Sequence, residues 1–243
     1  MRFYGELASV FHRITPPEDY VDDAERVVRV VDAVATGPAA TLLELGSGWG
    51  NNAFHLKRRF DCTLVDISDD MLDVSRSLNP ECEHLVGDMR SVRLDREFDV
   101  VFVHDAIDYM RTQADLAAAI GTVAAHLRPG GVAVLTPDFT AESFRPGTLA
   151  EAKDHDDIKV RYLEWTHAPA PGSSEVEVDM VLVARDGEGR TRVEHDRHTV
   201  GVFPEATWTR LLEGAGLSPC DPAVPGPLAS EMPRFVARRA RPG

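Results

Sequence analysis

The period of the apolar residues changes along the chain, and each change marks a different kind of structure. Val21, Ala24, Val27, Val28 and Val31 recur at helical spacing behind Pro16-Pro17. They predict a helix over residues 18–35, ended by Thr36-Gly37-Pro38. Short apolar runs then occupy residues 41–45, 62–66, 83–86, 98–103 and 131–136, separated by helical patterns at 50–60, 69–78 and 113–127. This alternation predicts an α/β fold: a mostly parallel sheet with helices on both faces. After Asp138 the helical patterns stop. Longer strand-like runs follow at 158–168, 175–185 and 190–203, with Asp186-Gly187-Glu188-Gly189 as a hairpin turn between the last two. In the middle run Val176, Val178, Met180 and Leu182 share one face and Glu175, Glu177 and Asp179 the other, the pattern of a half-exposed antiparallel strand. A helical pattern returns at 205–214, and Arg234-Phe235-Val236-Ala237 reads as a last short strand beyond a proline-rich loop.

Composition narrows the function. With 243 residues and 43% hydrophobic content the chain can bury a large core. Its formal charge of −14 argues against nucleic acid as a partner, because phosphate binding needs a basic footprint. Cys62, Cys82 and Cys220 are scattered, form no metal-spaced pair and suit a reducing compartment. No metal site is expected, since no His/Cys/Asp cluster repeats at ligand spacing. The start Met1-Arg2-Phe3-Tyr4-Gly5-Glu6 lacks the apolar segment of a signal peptide, and no apolar run approaches the ~18 residues of a membrane span. A cytoplasmic protein with no membrane partner is the expectation.

The chemistry gathers at the carboxyl ends of the predicted parallel strands, where ligands of such sheets bind. Thr41-Leu42-Leu43-Glu44-Leu45 runs into Gly46-Ser47-Gly48-Trp49-Gly50 and then into a helix. Glycines at alternate positions let backbone approach a ligand where a Cβ would clash, and the following helix N-terminus points amides at it. Thr63-Leu64-Val65-Asp66 ends the second strand in an acid, roughly 20 residues after Gly46. That acid can accept hydrogen bonds from ribose hydroxyls. Ser68 is a helix cap beside it. Gly87-Asp88-Met89 follows the third strand, and the fourth runs into the polar series His104-Asp105-Ala106-Ile107-Asp108-Tyr109. Leu127-Arg128-Pro129-Gly130-Gly131 makes a tight turn into the fifth.

Glu-x-Gly-x-Gly-x-Gly, with an acid before the first glycine, differs from the G-x-G-x-x-G of dinucleotide enzymes. Together with Asp66, Gly87-Asp88-Met89 and the turn into strand five, it resembles the class I S-adenosylmethionine (SAM) methyltransferases over residues 41–138. Phe3-Tyr4-Gly5, Glu18-Asp19-Tyr20 and the antiparallel insertion extend the likeness to the N,N-dimethyltransferases of deoxyamino sugars. Where that group commonly carries a His after strand four, this chain has Tyr109.

The resemblance implies a Rossmann-like SAM methyltransferase fold in three parts: an N-terminal lid helix and cofactor-binding core over 1–138, an antiparallel β insertion over 139–203, and a C-terminal part of the core over 204–243. It implies S-adenosyl-L-methionine as cofactor, held by Tyr20, Glu44, Gly46, Ser47, Gly48, Gly50, Asp66, Ile67, Asp88, Met89 and His104. In this pattern Asp88 accepts the adenine amino group and the Met89 amide meets a ring nitrogen. Asp105 and Tyr109 orient a small-molecule acceptor, and Asp105 or His104 takes its proton. Trp49 packs near the cofactor, and at most one of His195 and His198 reaches the site. The insertion covers the acceptor or forms a homodimer contact. Alternatives stay open: O-methylation, an aminopropyltransferase using Asp105 and Asp108, an NAD-linked oxidoreductase, or a SAM-binding protein without turnover.

Overall fold

The structure, a computed structural model, describes residues 12–221 and 235–240. Phe3, Tyr4 and most of the proline-rich stretch lie outside them. A 3-10 turn at Pro17–Tyr20 leads into α1 (Val21–Val34). Then come β1 (Thr41–Leu45), α2 (Asn51–Leu56), β2 (Asp61–Asp66), α3 (Asp69–Leu78), β3 (Glu83–Val86) and β4 (Phe98–Val103). A second 3-10 turn at Asp105–Tyr109 precedes α4 (Gln113–His126) and β5 (Leu127–Leu135). The order β10-β11-β5-β4-β1-β2-β3 makes one sheet, in which β10 is Leu217–Pro219 and β11 is Phe235–Arg239. β11 runs antiparallel to both its neighbours, and the other pairs are parallel.

The strands read as continuous apolar runs because both faces of the sheet are covered. Leu43, Leu45, Val101, Val103, Ala133 and Leu135 face α4 and the helix α5 (Glu205–Gly214). Leu42, Leu64, Val100, Phe102, Val132 and Val134 face α1 and α2. Within α1 the buried residues are Ala24, Val27, Val30 and Val31, whereas Val21 is exposed. The helical stripe is thus rotated from the one expected, since α1 starts only after the 3-10 turn. The helix expected at 50–60 closes at Leu56, before Lys57-Arg58-Arg59. β5 begins earlier than expected, with Arg128-Pro129-Gly130 drawn into the strand beside β4.

A second sheet, β6-β7-β8-β9, is an antiparallel meander: β6 (Gly147–Asp154), β7 (Ile158–Thr166), β8 (Glu175–Asp186) and β9 (Thr191–Gly201). Its inner face buries Val160, Tyr162, Val176, Val178, Met180 and Leu182 against Ile14, Trp49, Phe144 and Val202. The sequence reading lacked β6. Its residues Ala150, Glu151, Ala152, Lys153 and Asp154 have low strand propensity, and they form an exposed edge held by pairing with β7. Asp179 also departs from its expected exposed face. It is buried beneath Arg197, whose Nε lies 2.9 Å away, and beneath His167 and His195 at 2.8 and 2.7 Å. Among the described residues no helix is long and apolar enough to cross a membrane.

Candidate functional site

A parallel sheet brings the carboxyl ends of its strands to one edge. Here that edge is acidic throughout. Glu44 lies in β1, Asp66 ends β2, and Asp88, Asp105 and Asp138 stand just beyond β3, β4 and β5. Between this edge and the inner face of the antiparallel sheet lies a cavity of about 480 Å³, a size suited to small-molecule ligands. It runs from Asp66, Ile67, Asp88 and Met89 at one end to Phe139, Tyr162, Glu164 and Met180 at the other.

The glycine turn forms as expected, with a different use for its amides. The N–H groups of Gly46 and Ser47 both donate to the Val65 carbonyl, at 2.8 and 3.0 Å. The Gly48 N–H donates to Asp66 Oδ2 at 2.8 Å, and Gly50 N–H to the Ser47 carbonyl at 2.9 Å. These amides therefore tie β1 to β2 and do not point into the cavity. What the turn needs from glycine is shape. Gly46 has φ +72°, and a Cβ there would meet Ala106 Cβ at 2.4 Å and Met89 Cε at 2.8 Å. A Cβ on Gly50, at φ +74°, would meet Ser75 Oγ at 2.2 Å.

Asp66 accepts from Gly48 and, through Oδ1, from the Ser68 N–H at 2.8 Å. Burial raises its carboxyl above the ordinary value, and these amides oppose the rise. Ser68 caps α3 as expected, its Oγ accepting from the Met71 N–H at 3.3 Å. Asp88 pairs with Arg90, whose Nε is 3.0 Å from both carboxylate oxygens, and Arg90 also reaches Asp115 at 3.1 Å. Both Asp66 and Asp88 line the cavity.

Glu44 is buried, and burial pushes it up to about 8, with His104 opposing and Asp105 adding to the rise. Its Oε2 has no hydrogen-bond partner among the described residues. The same holds for Ser47 Oγ, Asn52 Oδ1 and Asp108 Oδ1, all on the cavity wall. Stranded acceptors cost ~1–3 kcal/mol each unless a ligand donates to them. A ligand bearing an ammonium and a sulfonium fits that wall. The folded state also holds a Glu44 proton that the unfolded chain has lost, so stability falls as pH rises from 4.5 to about 8. Glu44→Gln mimics the neutral acid. In ligand-free thermal scans it is expected to match the wild type near pH ~5 and to melt several degrees higher at pH ~8.5. Parallel curves would contradict this.

Beyond β4, His104 Nδ1 lies 3.3 Å from Asp105 Oδ1 and its Nε2 3.8 Å from Asp23 Oδ2 of α1. Burial favours the neutral ring, but Asp105 and Asp23 outweigh it and push the imidazole up to about 9. His104 is therefore an imidazolium at neutral pH. Asp105 is ringed by protein, yet its side chain is 52% exposed because it projects into the cavity. Enclosure works against its charge, and the imidazolium still holds the carboxyl below the ordinary range. The Tyr20 ring lies 6.0 Å from that of His104, and burial and Asp105 raise its phenol. The Tyr109 hydroxyl lies 2.8 Å from His198 Nδ1. Asp196 lies 3.3 Å from His198 Nε2, which places the ring proton on Nε2 and leaves Nδ1 to accept from Tyr109. Burial lowers His198, so the ring is neutral.

All the sequence-predicted residues except Gly50 line this cavity, and Trp49 is there with them. Gly50 sits behind it, against Ser75 and Asn79. Sequence reasoning missed Asn52, Asp138, Tyr162 and Glu164. Asp138 had a signal, as the first charged residue past a parallel strand. Tyr162 and Glu164 had none, because their placement depends on how the second sheet docks.

Residues 42–131 match the family described as a methyltransferase domain. The chain is 32% identical over 203 residues to the dTDP-3-amino-3,4,6-trideoxy-alpha-D-glucopyranose N,N-dimethyltransferase of Streptomyces venezuelae, covering 82% of this chain and 84% of that one. It is 31% identical over 221 residues to the dTDP-3-amino-3,6-dideoxy-alpha-D-glucopyranose N,N-dimethyltransferase of Streptomyces fradiae, covering 89% and 85%. The crystal structure of a sugar N-methyltransferase from a Streptoalloteichus species superposes with a TM-score of 0.82 at 26% identity, covering 98% of this chain and 94% of that one.

Proposed function

The chain belongs to the class I SAM-dependent methyltransferases, and from that premise we propose that it N-methylates the amino group of a deoxyamino sugar. One observation supports this reading above the others. The part of the cavity beyond His104 presents Asp105, Asp108, Asp138 and Glu164, and the only cationic side chain among them is His104, which Asp105 already pairs. Such a wall favours an acceptor that arrives as an ammonium ion. A neutral hydroxyl acceptor has no use for so much negative charge.

When bound, SAM supplies an electrophilic methyl on a sulfonium. The residues around it position and desolvate. Glu44, Ser47 and Asn52 offer acceptors to its charged end, Asp66 to its ribose, and Asp88 and Met89 to its adenine. Asp105 and Tyr109 hold the acceptor amine, and the antiparallel sheet with Phe139 and Phe144 excludes water. Pairing of exposed sheet edges between two copies gives a homodimer, and a monomer by light scattering at micromolar concentration removes that part.

The test is turnover. The purified chain with SAM and dTDP-3-amino-3,6-dideoxyglucose should release S-adenosylhomocysteine (SAH) and add one or two methyls by mass spectrometry. SAH alone should raise the melting temperature with concentration. Stabilisation by SAH without product from any amino sugar would defeat the acceptor reading.

A further inference from the structure

Neither residue first considered as proton acceptor has the right charge state: His104 already carries its proton, and Asp105 is held ionised beside it. We propose that Asp138 takes the proton from the acceptor's amine, with Asp108 as its positioning residue. This rests on the N-methylation reading. The position follows from sheet order. β5 lies beyond β4, on the side away from β1 and its glycine turn, so Asp138 stands on the acceptor side of the cavity. Its backbone N–H donates to Asp108 Oδ2 at 2.9 Å, which fixes the chain where it leaves the sheet. The other Asp108 oxygen, Oδ1, is buried and has no partner among the described residues. The Asp138 side chain itself opens to the cavity.

The groups that act on Asp138 are Asp105, His104 and Asp108 at the end of β4, Glu164 on β7 and Asp23 on α1. Enclosure and then the Asp105 charge push the Asp138 carboxyl up to about 7, with His104 opposing and Glu164 and Asp23 adding. A carboxylate tuned there is matched to take a proton at neutral pH. The step balances. An N–H bond of the bound ammonium breaks, its electron pair stays on nitrogen, and the proton bonds to an Asp138 oxygen. The nitrogen pair then forms the bond to the methyl carbon as the carbon–sulfur bond breaks, its pair going to sulfur. The proton leaves to solvent before the next turnover.

The experiment has two readouts. The first is the carboxyl titration of Asp138 in SAH-saturated protein labelled with 13C-aspartate, assigned by loss of its signal in Asp138→Asn. The second is the pH profile of kcat on dTDP-3-amino-3,6-dideoxyglucose for wild type, Asp138→Asn and Asp138→Glu. The carboxyl is expected to titrate near 7. Asp138→Asn should lose about tenfold in kcat at pH ~7 and recover toward pH ~9, where the free amine arrives already neutral. Asp138→Glu should restore most of the loss, and the SAH affinity of all three should agree within about twofold. A titration at the ordinary carboxylate value of about 4, or an Asp138→Asn profile that superposes on the wild type, overturns the proposal. If the wild type methylates no amino sugar, the acceptor reading fails. The titration then still decides for Asp138, sustained near 7 and removed near 4.

Discussion

Gly46→Ala is expected to destabilise the protein by about 2–5 kcal/mol and to abolish measurable SAH binding. Two terms add. Gly46 sits at φ +72°, where an L-residue costs about 1–2 kcal/mol. The new methyl would also stand 2.4 Å from Ala106 Cβ and 2.8 Å from Met89 Cε. Met89 can swing aside, but Ala106 cannot move alone. It belongs to the 3-10 turn that carries Asp105 and Tyr109. Relief of the clash therefore shifts the wall that faces the acceptor and the turn that faces the cofactor together. Gly121→Ala is the control: nothing lies within 4 Å of its Cβ position in α4, and helix propensity favours alanine by about 1 kcal/mol. Chemical denaturation with an SAH thermal-shift titration reads both effects. Unchanged stability and SAH response in Gly46→Ala would show that the turn has slack that these contacts deny.

How much of this was legible in the sequence depends on the range of the interactions involved. The glycine turn was legible because strand, acid and glycines are consecutive, and their constraints are local. The parallel sheet was legible because burial on both faces leaves unbroken apolar runs, as in Val100-Val101-Phe102-Val103. β6 was not. Its pattern of alanines and charges is that of an exposed edge, and only the partner strand makes it a strand. The role of the turn's amides was also misread, since the Val65 carbonyl and Asp66, which receive them, arrive from another strand. In the site, polarity past β4 pointed to His104 and Asp105, but their protonation states did not follow. Asp23 of α1 and Asp138 of β5 help set them, and neither is near in sequence.

Asp105→Asn tests how these charges work together. It should lower kcat on the amino sugar by about a hundredfold and change SAH affinity by less than about threefold. Asp105 faces the acceptor side, so its loss removes the counter-ion that holds the incoming ammonium. It also withdraws the main support of the His104 imidazolium, 3.3 Å away. Finally, it removes the charge that helps hold Asp138 up, so that carboxyl becomes a weaker base. The three effects act on the transition state more than on the bound cofactor, which is why kcat should move alone. Equal losses in both constants would place Asp105 on the cofactor instead. Stability supplies a second readout with a definite sign. His104 is raised from 6.5 to about 9 in the folded protein, so its pairing stabilises fully below pH 6.5 and fades as pH rises through about 9. Asp105→Asn should therefore melt below the wild type at pH ~6 and converge with it above pH ~9. A gap that persists into strong alkali would mean that Asp105 stabilises the fold by contacts other than the imidazolium.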